Sequence, residues 1–299
     1  MISVLTLTTR NRAAQLRNLL VGVRQSAVQP DEVVVAVMAG SRPAGLPELP
    51  VPVRIVEVPG APESLPLGAA RNAAARKATG DRLVFLDVDC IPGRDLIGRY
   101  GRALDGFDGV VMGQVRYLPP GVTHNGWSES ELRVRGELHP QQPLPPSKGL
   151  REEPDPSQFW SLSFAVRRET LLDRIGGFDE GYTGYGGEDA DFAARTDRSG
   201  VPLAWVAGAR AYHQYHPICD PPLNHLHDVC RNARRFHARW GRWPMRDWLK
   251  ALADGGWIRW SQGGASLEIV RPPPAEEIDG AVRRAPVPRS PQRAAVHAA

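Results

Sequence analysis

The segment Leu83-Val84-Phe85-Leu86-Asp87-Val88-Asp89-Cys90-Ile91-Pro92 constrains the fold more than any other stretch of the chain. Four apolar residues without a polar break read as a strand buried on both faces, the pattern of a parallel sheet covered by helices. The run closes on two carboxylates, and Pro92 limits how far strand pairing continues. Ligands of open α/β sheets gather beyond the carboxyl ends of their strands. Asp87 and Asp89, two apart on a strand, face one side and can share a hard cation together with phosphate oxygens. The string is short, and a strand-end turn with solvated aspartates would read the same way.

The flanking sequence repeats the strand-then-helix alternation. Ile2–Thr8, Glu32–Met38 and Val53–Val58 read as strands, and residues 11–26 as a helix with Leu16, Leu19, Leu20 and Val23 on one face. Residues 68–79 form an Ala-rich helix stopped by Gly80, residues 94–104 a further helix, and Val110–Tyr117 a strand. Such alternation predicts an open, mostly parallel, twisted α/β sheet with helices on both faces. Thr8-Thr9-Arg10-Asn11-Arg12 and Arg71-Asn72 stand near helix starts, where phosphate groups bind well, although simple capping with solvated arginines accounts for either stretch.

Residues 118–159 hold eight prolines and almost no periodicity, so a partly mobile loop beside the site is expected. Residues 160–166 read as a strand and 167–175 as a short helix. The block from Gly177 to Phe192 is the second centre of chemistry. Its glycines let backbone approach a ligand, and Glu188 and Asp189 fall in the first turn of a helix. A carboxylate held there in a partly dry pocket could take a proton. Residues 203–206 and 209–212 read as short strands leading to His213-Gln214-Tyr215-His216, and a neutral imidazole at a strand end is a good ligand for a divalent metal. Cys219, His225, His227 and Cys230 follow, but their spacings fit no standard zinc module.

Residues 223–240 read as a helix rich in Arg and His. The nearby Trp240, Trp243, Trp248, Trp257 and Trp260 either pack on the core or bind a glycan, a lipid headgroup or nucleic acid. Beyond Val270 the Pro/Ala/Arg-rich composition predicts disorder. The domain expected from these readings spans residues 1–262, divided into a nucleotide-binding half (1–117), the Pro-rich loop (118–159), an acceptor half (160–240) and a Trp-rich extension (241–262), with a disordered tail over 263–299.

Net charge is only +4, from 37 Lys and Arg against 33 Asp and Glu. With no recognisable module as well, that argues against nucleic-acid binding. Three cysteines are too few for a disulfide framework, so a reducing, cytoplasmic setting is expected. No apolar run approaches the roughly 20 residues a spanning helix needs. The Trp/Arg-rich segment leaves peripheral membrane contact open.

Together the Asp-x-Asp strand end, the Gly-Gly-Phe-Asp-Glu…Gly-Gly-Glu-Asp-Ala-Asp-Phe block and the following histidine resemble inverting glycosyltransferases of the GT-A fold. The resemblance covers roughly residues 1–240 and is to family 2 members whose C-terminal half is similar to galactosyl- and N-acetylgalactosaminyltransferases. It implies a Rossmann-like nucleotide-binding sheet, a nucleotide-sugar donor (a UDP-sugar), Mn²⁺ or Mg²⁺, and a glycan, glycolipid or small-molecule acceptor. By the family pattern Asp89 and His213 would hold the metal, with His216 as the fallback. Thr8, Arg10, Arg71 and Asp87 would lie at the nucleotide, Glu188 and Trp160 at the acceptor, and Asp189 would be the general base. One departure stands out: the second strand ends in Val37-Met38-Ala39-Gly40, where the family usually carries an acid that reads the base. A nucleotidyltransferase would want a glycine-bearing phosphate loop after the first strand, which Thr8–Arg12 lacks. A catalytically silent nucleotide-sugar-binding scaffold would have no need of Asp87, Asp89, Glu188, Asp189 and His213 together.

Overall fold

The computed structural model describes residues 1–40 and 43–283. In chain order its elements begin with β1 (Ile2–Thr8), α1 (Ala13–Arg24), β2 (Glu32–Met38), β3 (Val53–Val58) and α2 (Leu67–Lys77). Next come β4 (Arg82–Leu86), β5 (Cys90–Pro92), α3 (Leu96–Gly106), β6 (Val110–Tyr117), α4 (Glu129–Arg135), β7 (Glu137–Leu138) and β8 (Leu150–Glu153). β9 (Ser163–Arg167), α5 (Glu188–Arg198), β10 (Leu203–His213), β11 (Ile218–Cys219) and α6 (Leu226–Trp240) carry the second half. α7 (Arg246–Asp254), β12 (Ile258–Trp260), β13 (Leu267–Ile269), α8 (Ala275–Ala281) and β14 (Val282–Arg283) close the described chain.

One sheet carries the fold, in the order β3-β2-β1-β4-β9-β6-β10-β5. β3, β2, β1 and β4 are mutually parallel; β9 runs against both β4 and β6, and β10 runs parallel to β6. The expected sheet of mostly parallel strands with flanking helices is therefore present, with β9 as the reversed long strand. Alternate residues of the apolar strands serve opposite faces, as the pleat requires. Leu5, Val34, Phe85 and Phe164 pack with Ala70 and Ala74 of α2 and Phe192 of α5. Val4, Val33, Val35 and Val84 pack with Leu16, Leu19 and Leu20 of α1 and Leu96 and Tyr100 of α3.

Several sequence expectations are corrected. The strand beginning at Arg82 stops at Leu86; Asp87-Val88-Asp89 makes a turn, and Cys90–Pro92 re-enters the sheet as β5 beside β10. Residues 118–159 are not a featureless loop: β7 pairs with β6 and β8 with β10, while Leu132 of α4 packs with Leu118, Val122, Ile91 and Tyr212. Their few apolar residues were too scattered for periodicity to show. The two short strands expected at 203–212 are one strand whose register shifts between Trp205 and Arg210, and Gly208 there has φ +76°. Within the supposed tail, residues 263–283 are folded. Leu267 pairs with Trp260, and Leu267 and Ala281 are buried with Val229, Trp243, Leu249 and Ile258. A prolyl stretch needs only such sparse apolar anchors to be held against a neighbour. The remainder of that tail, from 284, lies outside the described residues.

Phe164 is fully buried, stacks on Phe85 at 4.6 Å between ring centroids, and packs with Phe159, Phe178 and Phe192. It therefore supports both the turn before α5 and α5 itself. Phe164→Ala is expected to lower unfolding free energy by about 3–5 kcal/mol, measured by urea denaturation.

Candidate active site

The turn after β4 faces two other elements at the same edge. Asp89 is 8% exposed, and its carboxylate lies 3.5 Å from His213 Nε2 and 3.3 Å from His216 Nε2. Among the described residues these three side chains are the cluster whose ligand atoms could jointly hold a metal ion, all within 4.8 Å of one another. Burial disfavours charge on Asp89, but His213, His216 and Arg12, at 3.8 Å, outweigh it and hold the carboxyl well below the usual carboxylate range. His213 is shifted the other way, toward its neutral, ligating form, because burial outweighs Asp89. Asp89 Oδ1 is buried with no hydrogen-bond donor. A buried anionic oxygen without a donor is costly unless a cation satisfies it, so the donor set fits a divalent metal.

The backbone holds this cluster in place. Gln214 N–H donates to the Asp89 carbonyl at 2.6 Å. The Gln214 side chain bonds α1 through Gln15 O and Asn18 Nδ2, and Trp127 Nε1 donates to Asn18 Oδ1 at 3.1 Å. The strand end that presents His213 and His216 is thus fastened to the turn that presents Asp89.

Asp87 takes no part in the histidine cluster. The Arg71 guanidinium, 2% exposed, donates through Nη2 to Asp87 Oδ1 at 2.9 Å and through Nη1 to Glu188 Oε1 at 3.2 Å. One cation therefore bridges the turn after β4 and the first turn of α5. Burial raises the Asp87 carboxyl, partly offset by Arg71. Burial and the neighbouring Asp189 charge push Glu188 up to about 7, against the pull of Arg71. Asp189 is also raised, chiefly by burial, although Ala190 N–H donates to its Oδ1 at 2.8 Å. Two adjacent carboxyls that titrate high form a pair suited to proton transfer.

Glycines and a second-half helix shape the approach to this pair. Gly186 and Gly187, which caps α5, have φ of +81° and +93°, values that side-chain-bearing residues rarely adopt. Asn232 of α6 donates to the carbonyls of Thr183, Tyr185 and Gly186 at 3.0, 3.4 and 2.7 Å, and Asp228 Oδ2 accepts from Tyr185 N–H at 3.2 Å. On the other side, Asn72 both donates to the Phe178 carbonyl and accepts from Phe178 N–H, each at 2.9 Å. The loop carrying Glu188 and Asp189 is thereby held at both ends.

The other expected residues are distributed as follows. Thr8 ends β1 with its hydroxyl donating to Thr9 O at 3.2 Å, and Arg10 is exposed. Trp160 lies outside the strand, edge-on to His139 at 4.8 Å. Cys219, His225, His227 and Cys230 join no ligand cluster among the described residues, so the zinc reading has no support there. Asn232 and the bridging role of Arg71 were not legible in the sequence. Arg12, in the Thr8–Arg12 stretch, and His216, the fallback ligand, were both in view, but only the fold shows that each faces Asp89. The tryptophans turn largely inward: Trp240 Nε1 donates to Asp191 Oδ1 at 2.8 Å and Trp243 is 6% exposed.

The sequence profile of glycosyl transferase family 2 matches residues 5–176. This chain belongs to glycosyl transferase family 2. The same glycosyltransferase also matches, over residues 155–217, a profile described as the N-terminal domain of galactosyltransferase. Chondroitin synthase of Pasteurella multocida (strain Pm70) is 29% identical over 175 residues, covering 50% of this chain and 18% of that protein. The family 2 chain thus spans under a fifth of that relative's length. Among solved structures, S. aureus TarS 1–349 aligns with TM-score 0.51 and 14% identity over 79% of this chain and 65% of that one. GalNAc-T7 with UDP, GalNAc and Mn²⁺ aligns with TM-score 0.50 and 17% identity over 72% and 44%. These likenesses show the expected GT-A-like fold. Membership of this family supports the enzyme reading over the silent scaffold. No described helix is long and apolar enough to cross a membrane.

Removing the Arg71 bridge leaves Asp87 and Glu188 half-buried or buried without their cation. Arg71→Met is expected to lower stability by about 3 kcal/mol at pH 8. The loss should shrink at pH 5, because Glu188 titrates above its ordinary value and is protonated there, needing no partner. Thermal unfolding of both proteins at the two pH values checks this.

Proposed function

We propose that this glycosyltransferase moves a sugar, with inversion, from a nucleotide-sugar donor to a hydroxyl of a glycan, glycolipid or small-molecule acceptor, in the cytoplasm and with a divalent cation bound. The observation that carries the reading is the Asp89–His213–His216 cluster, with its unsatisfied Asp89 Oδ1, next to a Glu188–Asp189 pair whose carboxyls titrate high. A cation held by these three residues would act as a Lewis acid toward the charge growing on the leaving nucleoside diphosphate. One carboxylate with two imidazoles suits Mn²⁺ better than Mg²⁺, which prefers oxygen ligands. GalNAc-T7, solved with UDP, GalNAc and Mn²⁺, supports the same choice and a UDP-sugar donor.

The chain's own residues supply the rest. Asp189 takes the proton of the acceptor hydroxyl, and its raised affinity for that proton makes it a stronger base while ionised. Glu188 accepts hydrogen bonds from acceptor hydroxyls and is kept in position by Arg71. Asp87, also held by Arg71, serves the ribose side of the donor, with Thr8 and Arg10 at the end of β1. Arg12 adds positive charge at the diphosphate. Trp160 offers a ring face to the acceptor. A single base acting opposite the leaving group gives inversion. Ala39, with φ +47°, occupies the end of β2 where an acid usually reads the base, so the UDP assignment rests on the structural likeness. The free thiols Cys90, Cys219 and Cys230 fit the cytoplasmic setting.

Asp189→Asn is expected to retain donor binding while turnover falls about 10²–10⁴-fold. In the wild type, kcat/KM should begin to fall on acidification above the ordinary carboxylate range, because burial raises Asp189 and the base must be ionised to accept a proton. Retained turnover in the variant would remove Asp189 as the base. Titration calorimetry with MnCl₂ and UDP tests the cluster: binding by the wild type, absent for Asp89→Ala, is the expected result, and equal binding would reject the metal assignment.

A further inference from the structure

Where α6 ends, the chain turns at Gly241, with φ +67°, and a cleft of about 410 Å³ opens between that turn and the connection from β12 to β13. Its lining includes His237, Arg242, Trp243, Arg246 and the Gly263–Gly264 backbone, and no carboxylate. Trp243 is a fixed floor: His237 stacks on it at 4.0 Å and its Nε1 donates to Gly264 O at 2.7 Å.

The charge of this lining is unusual for its surroundings. The nearby Arg231, Arg235, Arg239 and Arg271 each hold a carboxylate of the chain. Arg242 and Arg246 are exposed and form no ion pair among the described residues; Arg242 lies over the Phe236 ring at 5.4 Å. Two guanidinium forks that form no ion pair, with Asp155 acting on Arg242 only from beyond ion-pair distance, stand around an aromatic floor and match a ligand that carries both anionic groups and sugar-like apolar faces.

The segment that carries Arg246 also packs against the glycine turn before α5. Met245 and Trp248 lie against Gly186, where an added Cβ would come within 2.9 Å of Met245 Sδ and 3.2 Å of Trp248 Cζ3. Trp248 stacks on Tyr185 at 5.5 Å. Arg246 is therefore one residue from a side chain that touches the turn leading into Glu188 and Asp189. A membrane surface fits less well, since it calls for clusters of roughly 4–8 basic residues and an outward apolar face, whereas Trp243 is buried.

We propose that this cleft is an acceptor subsite for an acidic saccharide chain, whose carboxylate or phosphate groups are held by Arg242 and Arg246 while its hydroxyl-bearing end reaches Glu188 and Asp189. Delivery to those carboxylates rests on the transfer reaction proposed above; anion binding in the cleft does not.

Titration calorimetry with the full chain tests it, using an oligogalacturonate, an oligomeric glycerol phosphate, a neutral malto-oligosaccharide and phosphatidylglycerol vesicles as probes. The wild type should bind an acidic oligomer and not the neutral one, more weakly at higher salt. The double variant Arg242→Ala/Arg246→Ala, with an unchanged melting temperature, should bind it roughly tenfold more weakly. The tighter of the two acidic oligomers identifies carboxylate or phosphate as the group recognised. Equal affinity for neutral and acidic chains, an unaltered affinity in the double variant, or binding to vesicles alone would overturn the proposal. Binding of UDP with MnCl₂ by the wild type tests the donor side of the transfer reaction separately. Acidic-oligomer binding without UDP binding would defeat that reaction and leave the cleft standing; UDP binding without acidic-oligomer binding would do the reverse.

Discussion

A single guanidinium joins the turn after β4 to the start of α5. Arg71 is almost wholly buried, and it reaches Asp87 on the turn after β4 and Glu188 at the start of α5, residues 101 positions apart in the chain. A buried cation is tolerated only when opposite charges are brought to it, so its presence forces these two elements together. Its ring contact with Phe178, at 5.2 Å, and the pairing of Asn72 with Phe178 backbone extend the same constraint along α2. The turn after β4 and the start of α5 are in this sense one electrostatic unit.

Around that unit the structure separates carboxylates by environment. Asp89, facing two imidazoles and Arg12, stays ionised despite burial, whereas Glu188 and Asp189, next to each other with one shared cation nearby, hold protons more tightly. The same side-chain chemistry is thereby held ionised at one place and biased toward its protonated form at another. The C-terminal extension contributes more than bulk. Asn232 and Asp228 of α6 fasten the glycine-rich turn, and Met245 and Trp248 cover it. Glycine made that turn possible, and because glycine also leaves it loose, external hydrogen bonds are needed to give it one shape.

Much of the fold could be read directly. The strands over Ile2–Thr8, Glu32–Met38 and Val110–Tyr117 fall where the apolar runs place them, because strands covered on both faces tolerate little else, and the half-exposed edge strand Val53–Val58 also falls where expected. The helix beginning at Glu188 is likewise where its first-turn acids and preceding glycines indicate. The segment between 118 and 159 and the stretch after 263 were misread for one reason. Each is anchored by a few apolar side chains far apart in sequence, such as Leu132 and Leu267, and periodicity cannot register isolated contacts.

The sequence by itself determined the layers, the mostly parallel character of the sheet and the residue types available at the edge: acids after the buried strand, acids after the glycine turn, histidines after the last long strand. These follow from hydrophobic periodicity and local backbone freedom, which act over a few residues. Only the tertiary structure decided the partnerships: Arg71 between Asp87 and Glu188, Asp89 with both His213 and His216, and the cleft at Arg242 and Arg246 beside the turn at Gly186. Electrostatic pairing depends on distances of a few ångströms across chain separations of a hundred residues or more, and those distances exist only once the sheet has assembled.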